Sequence, residues 1–131
     1  MTGDRDSTGW QDLREFADVD LARSFVLSWS TEGEALIVDI DLFLEPQHPF
    51  YEAPRPAEKV CIRPAVIEFP FFENLRLTGS ASKQASEIIN VLGHGAIEDL
   101  SVSGDGCYEI RGEFGTVSLQ AERPLLRLKA P

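Results

Sequence analysis

Phe25, Leu27 and Trp29 sit at alternate positions, and after Glu32-Gly33 the same rhythm returns in Leu36, Val38, Ile40, Leu42 and Leu44. A period of two belongs to a strand that turns one face to a core, so the two stretches predict a β-hairpin over residues 22 to 45. A two- or four-residue loop around Glu32-Gly33 sets Trp29 opposite Leu36, Leu27 opposite Val38 and Phe25 opposite Ile40, all on one face. The other face carries Asp39 and Asp41 but also Val26, Ile37 and Phe43. That is more apolar surface than water-facing strands need, and a helix or a partner is expected to cover part of it.

The C-terminal third reads as a meander. A three-residue loop, Gly104-Asp105-Gly106, with Gly106 in the left-handed region pairs Val102 with Tyr108 and Leu100 with Ile110. The turn Gly112 to Gly115 then sets Ile110 against Val117 and Tyr108 against Leu119, and Glu122-Arg123-Pro124 brings Leu126 and Leu128 back toward Ala121 and Leu119. Val60 to Phe69 is β-branched and aromatic, with Pro64 in its middle pointing to an edge position or a bulge. Leu75 to Leu77 continues that strand past Pro70-Phe71-Phe72. Between the two regions, Glu45 to Glu58 holds Pro46, Pro49, Pro54 and Pro56, which rules out continuous pairing and predicts a long connection.

Two helices are predicted. Thr8-Gly9-Trp10-Gln11 has capping-box spacing, and Trp10, Leu13 and Phe16 follow at helical intervals over residues 9 to 17. Ala85, Ile88, Ile89 and Leu92 mark a second helix within residues 80 to 92, with Ser80 or Ser82 as cap and Gly93 as stop. The first eight residues are expected to be disordered. The fold expected is one mainly β domain, 1–131, all-β or α+β: an antiparallel β-sandwich or partly open barrel of six to seven strands with one or two short helices.

Composition narrows the function classes. With 131 residues and 43% apolar content there is material for one core. The balance of 22 acidic and 12 basic residues gives a net charge of −10, and no Lys/Arg stripe is present to displace counterions, so no nucleic acid is expected as partner. The same field favours encounter with a basic protein, or serves only solubility. No stretch reaches the ~20 apolar residues that span a bilayer, and Met1 to Asp6 is charged with no hydrophobic segment behind it. The expectation is a cytoplasmic protein without membrane contact.

Local chemistry is sparse. Cys61 and Cys107 lack a CxxC or a close histidine and read as packing residues, not as a disulfide, metal or redox site. Asp39 and Asp41 share a strand face about 7 Å apart, compatible with paired carboxylates or with a solvated face. His94, between Gly93 and Gly95, lies either at a ligand or at the helix stop. There is no H-E-x-x-H, G-x-S-x-G or G-x-G-x-x-G, and no catalytic residue, cofactor or metal is assigned. The candidate binding residues are His48, Phe50, Tyr51 and Arg55 of the proline-rich connection, joined by Phe72 and its neighbour Phe71. Aromatic and arginine side chains dominate interface energies, and proline holds a loop ready. Alternatively, Phe50, Tyr51 and Phe72 plug the open end of the core.

The Cys61 strand running into Ile67-Glu68-Phe69-Pro70, then His94-Gly95-Ala96-Ile97, then Tyr108-Glu109-Ile110-Arg111-Gly112-Glu113-Phe114-Gly115 resemble small uncharacterised bacterial all-β domains. Some of these are similar to immunity proteins of bacterial toxin systems. The resemblance spans residues 59 to 129, about half the chain, and implies no catalytic residue. The function expected is a protein-binding module, immunity-like, with a basic protein as partner. The alternative is a small-molecule-binding β-barrel or a small enzyme using Asp39, Asp41, His48 and His94. A homodimer through the Pro64 strand is a third expectation.

Overall fold

The computed structural model describes residues 7–52 and 61–129. Nine strands and one α-helix follow in the order β1 Thr8–Gly9, β2 Val19–Glu32, β3 Ala35–Leu44, β4 Cys61–Phe69, β5 Glu73–Leu77, α1 Ala85–Val91, β6 Gly95–Val102, β7 Cys107–Gly112, β8 Gly115–Gln120 and β9 Leu125–Leu128. All pairings are antiparallel, in one open sheet ordered β5-β8-β7-β6-β2-β3-β4-β9, with β1 beside β6. The mainly β class expected from the sequence is therefore what the chain forms.

The sheet curls back on itself. In a flat sheet, β4 and β7 stand four strand spacings apart, about 19 Å. Yet the rings of Phe69 on β4 and Tyr108 on β7 meet edge to face with centroids 5.4 Å apart. The space between is filled from both halves by one cluster of buried side chains, among them Leu36, Ile40, Ile67, Leu100, Ile110 and Leu119. Trp29 closes one flank: its indole N–H donates to the Gly93 carbonyl at 2.9 Å, and its ring lies edge-on to Phe114 at 5.1 Å.

The meander holds the registers that alternation predicts: Val102 faces Tyr108, Leu100 faces Ile110, Ile110 faces Val117 and Tyr108 faces Leu119, with Gly106 at φ 81°. The first hairpin does not hold its expected register. Its turn is Gly33-Glu34, one residue later, with Gly33 at φ 61° as the first central residue of a hairpin turn requires. Trp29 thus faces Val38, not Leu36. Leu27 is an extra residue between Ser28↔Asp39 and Val26↔Ile40. This bulge exchanges two faces: Val26 is fully buried, Leu27 is 45% exposed, and Phe25 comes opposite Asp41 on the outer face. A second irregularity sets residues 21–24 against Leu42 alone, and there buried Ser24 mends the ladder. Its hydroxyl accepts the Phe43 N–H at 3.0 Å and donates to the Asp20 carbonyl at 2.9 Å.

Other expectations are corrected. Leu126 and Leu128 pair with Ile67 and Ala65 of β4, not with β8, so the last strand crosses the molecule. β5 pairs with β8 at the far edge of the sheet and does not prolong β4. Residues 9 to 17 form two 3₁₀ turns, Trp10–Asp12 and Arg14–Phe16, separated by extended Leu13; Thr8 is committed to β1 and makes no side-chain cap. Thr8 is thus ordered by pairing with Val102, while residues 1–6 lie outside the described residues. Helix α1 is shorter than expected because the Ser82 hydroxyl bonds to the Glu87 carboxylate and Gln84 occupies the cap position. Neither it nor the 3₁₀ turns supply the outer-face cover: α1 packs beside β5, and the turns pack against β6, β2 and β9. Phe43 is instead roofed by the Arg23 guanidinium, 5.3 Å from the ring centre.

Candidate functional site

An open groove of about 950 Å³ lies beside the N-terminal half of β4. Three segments build it: Pro49 to Glu52 after β3, Ile62 to Pro64 of β4, and Arg127 to Lys129 of β9. The first wall is two consecutive turns. The His48 N–H donates to the Glu45 carbonyl at 2.9 Å, and the Tyr51 N–H donates to the His48 carbonyl at 3.0 Å. The Phe50 N–H donates to His48 Nδ1 at 3.1 Å, so the imidazole braces the loop from within. The outcome is a divided pair: Tyr51 packs against the core, whereas Phe50 is 65% exposed.

The floor is β4, and β9 ends partway along it. Ile62, on the outer face opposite Phe43, is 46% exposed. Around it the charges are paired between neighbouring segments. Arg63 meets Glu52 at 3.2 Å, Arg127 meets Glu68 at 2.6 Å, and Lys129 meets Asp39, which also accepts the Ser28 hydroxyl. The lining itself holds three cations and one acid, Glu52, on a chain whose net charge is −10.

The structure thus brings His48, Phe50 and Tyr51 together and separates Phe72 from them. The Phe72 N–H donates to the Glu34 carbonyl at the hairpin turn, where β3 begins, while His48 follows the end of β3. Ten residues of strand, about 30 Å, lie between. Phe72 packs on the core at that far end, with Phe71 exposed beside it. Arg55 lies outside the described residues. Asp39 belongs to a cation, not to a carboxylate pair with Asp41. His94 is exposed against Phe25, centroids 5.9 Å apart, and Gly93 makes no left-handed stop.

Sequence reasoning missed Ile62, Arg63, Arg127 and Lys129. Alternation of Leu126 and Leu128 with Arg127 and Lys129 marked a strand, but nothing local named β4 as its neighbour. Cys61 is buried, and burial, with the Asp105 and Glu109 carboxylates, pushes the half-buried Cys107 thiol up. Among the described residues no three His, Cys, Asp or Glu side chains gather as metal ligands, and no helix is long and apolar enough to cross a membrane. Compared with protein-family models, curated proteins and solved structures, the chain finds no match.

Proposed function

We propose that this chain is a protein-binding module of the bacterial cytoplasm and that the groove beside β4 is its contact surface. The observation that carries the reading is the exposure of Phe50 on the wall and Ile62 on the floor of an open groove, while Tyr51 and Leu128 of the same lining pack against the core. Solvent-facing aromatic and branched side chains in a concave, partly charged setting are what interface anchors look like. The net charge of −10 speeds encounter with a protein of opposite net charge, and a basic toxin would be a suitable partner if the chain shares the role of those all-β domains that are similar to immunity proteins. The volume alone would suit a small ligand. Its open form and salt-bridged lining favour a macromolecular surface instead.

Capture from source lysate at low salt tests this, with the wild-type chain against a Phe50→Ser, Ile62→Ser double variant. Both positions are exposed, so the variant keeps the fold. One partner held by the wild type and lost from the variant is the expected result. Equal capture by both, or none by either, would overturn it, and a dimer in sedimentation that the double variant abolishes would replace it with self-association.

A further inference from the structure

We propose that the groove holds its partner by strand addition: an extended, acid-bearing peptide segment enters the lane beside β4 that β9 leaves at Lys129, and Arg63 takes its carboxylate. This rests on the reading of the groove as a protein-binding surface. The last link between β9 and β4 is the Lys129 N–H to the Pro64 carbonyl at 2.9 Å. Backbone groups of alternate residues point to the same side of a strand, so Ile62 presents its N–H and carbonyl to that lane as well. Its N–H has no backbone partner among the described residues. Among the described residues, its carbonyl accepts only from Nη1 of the adjacent Arg63, at 3.1 Å.

That arginine stands in for a strand. An incoming N–H replaces Nη1 on the Ile62 carbonyl, an incoming carbonyl accepts the Ile62 N–H, and the guanidinium is released toward a carboxylate. Its present partner is easily exchanged, because the Glu52 side chain is 78% exposed. Arg127 and Lys129 of the lining are held by Glu68 and Asp39, whose side chains are far less exposed than that of Glu52, so Arg63 is the lining cation most open to a new carboxylate.

The test is amide NMR of the full chain titrated with a capped heptapeptide of alternating valine and threonine carrying a central glutamate, against the same peptide with lysine. The Ile62 amide is expected to shift and to gain exchange protection, and the glutamate peptide to bind about fivefold more tightly. Arg63→Gln should erase that ratio, and Glu52→Gln should tighten the glutamate peptide by about twofold to threefold, since a competing carboxylate is gone. An Ile62 amide already protected in the isolated protein, protection that appears only as a dimer forms, binding indifferent to charge, or no binding at millimolar peptide would each overturn the proposal. If the lysate partner still depends on Phe50 and Ile62 while Ile62 ignores the peptide, strand addition fails and the interaction reading stands; if neither responds, both fail.

Discussion

The bulge at Leu27 reverses which of two neighbouring side chains supports the core, and a pair of truncations measures it. Val26→Ala removes two carbons from a site with no exposure. At about 0.8 kcal/mol per buried carbon the transfer loss is about 1.6 kcal/mol, and the cavity left in a tightly packed sheet raises it to about 2–3 kcal/mol. Leu27→Ala removes three carbons, worth about 2.4 kcal/mol if fully buried. At 45% exposure only about 1.3 kcal/mol of that is available, and no closed cavity forms. Urea titration followed by tryptophan fluorescence reads the difference, as does a thermal midpoint falling about 3–5 °C per kcal/mol for a chain of this size. Lysine substitutions widen it: Leu27→Lys folds, and Val26→Lys does not, because an unpaired buried ammonium has no compensation. A larger loss from Leu27→Ala than from Val26→Ala, or a folded Val26→Lys, would refute the bulge and restore the unbroken register.

Three further outcomes follow from particular contacts. Burial raises the Glu15 carboxyl, but the Arg123 N–H, 2.6 Å from Oε2, and the arginine charges outweigh it and hold it below the ordinary carboxylate value. A carboxylate depressed in the folded state stabilises above its unfolded pKa and loses that contribution as pH falls through the folded one. Glu15→Gln is thus expected to cost up to about 1 kcal/mol at neutral pH, limited by the exposure of Arg123, with the gap to wild type closing in acid urea titrations. Gly112→Ala should destabilise by about 1–3 kcal/mol, since a Cβ there would stand 2.4 Å from the Ala96 carbonyl and 2.5 Å from the Phe114 ring, whereas Gly93→Ala, facing open space, should leave the melting midpoint unchanged. Trp29→Phe forfeits the bond to the Gly93 carbonyl and should cost about 0.5–1.5 kcal/mol, with faster amide exchange between α1 and β6.

Legibility in the sequence followed locality. In the meander, short loops and uninterrupted alternation fix the partner of Tyr108 and Ile110 within a few residues, and the registers read correctly. β2 has the same alternation and misleads, because Leu27 is inserted without any glycine or charge to announce it. Thr8 has the right spacing to cap a helix, yet its backbone pairs with Val102, and that commitment outweighs a weak local preference. His48, Phe50 and Tyr51 are recognisable because they fall together within one proline-rich connection. Phe72 shares only side-chain type with them, and β3 separates the two sets. The cations of the groove have no local signature, because Arg127 and Lys129 reach it through a pairing with residues some sixty positions earlier.

Pro64 joins these threads. A proline inside a strand signals an edge or a bulge, and β4 is neither, being paired on both sides of its C-terminal half. The register with β3 nevertheless runs unbroken from Cys61 to Phe69. The resolution lies in direction: the Pro64 carbonyl accepts from Lys129, so the missing N–H also points to the β9 side and withdraws nothing from β3. At residue 63 or 65 the same proline would cut a bond of the central ladder. At 64 it allows only one of the two bonds a β9 residue could make there, and β9 stops within a residue of it. The proline therefore marks where, among the described residues, one flank of a central strand becomes an edge, and the groove opens at that point.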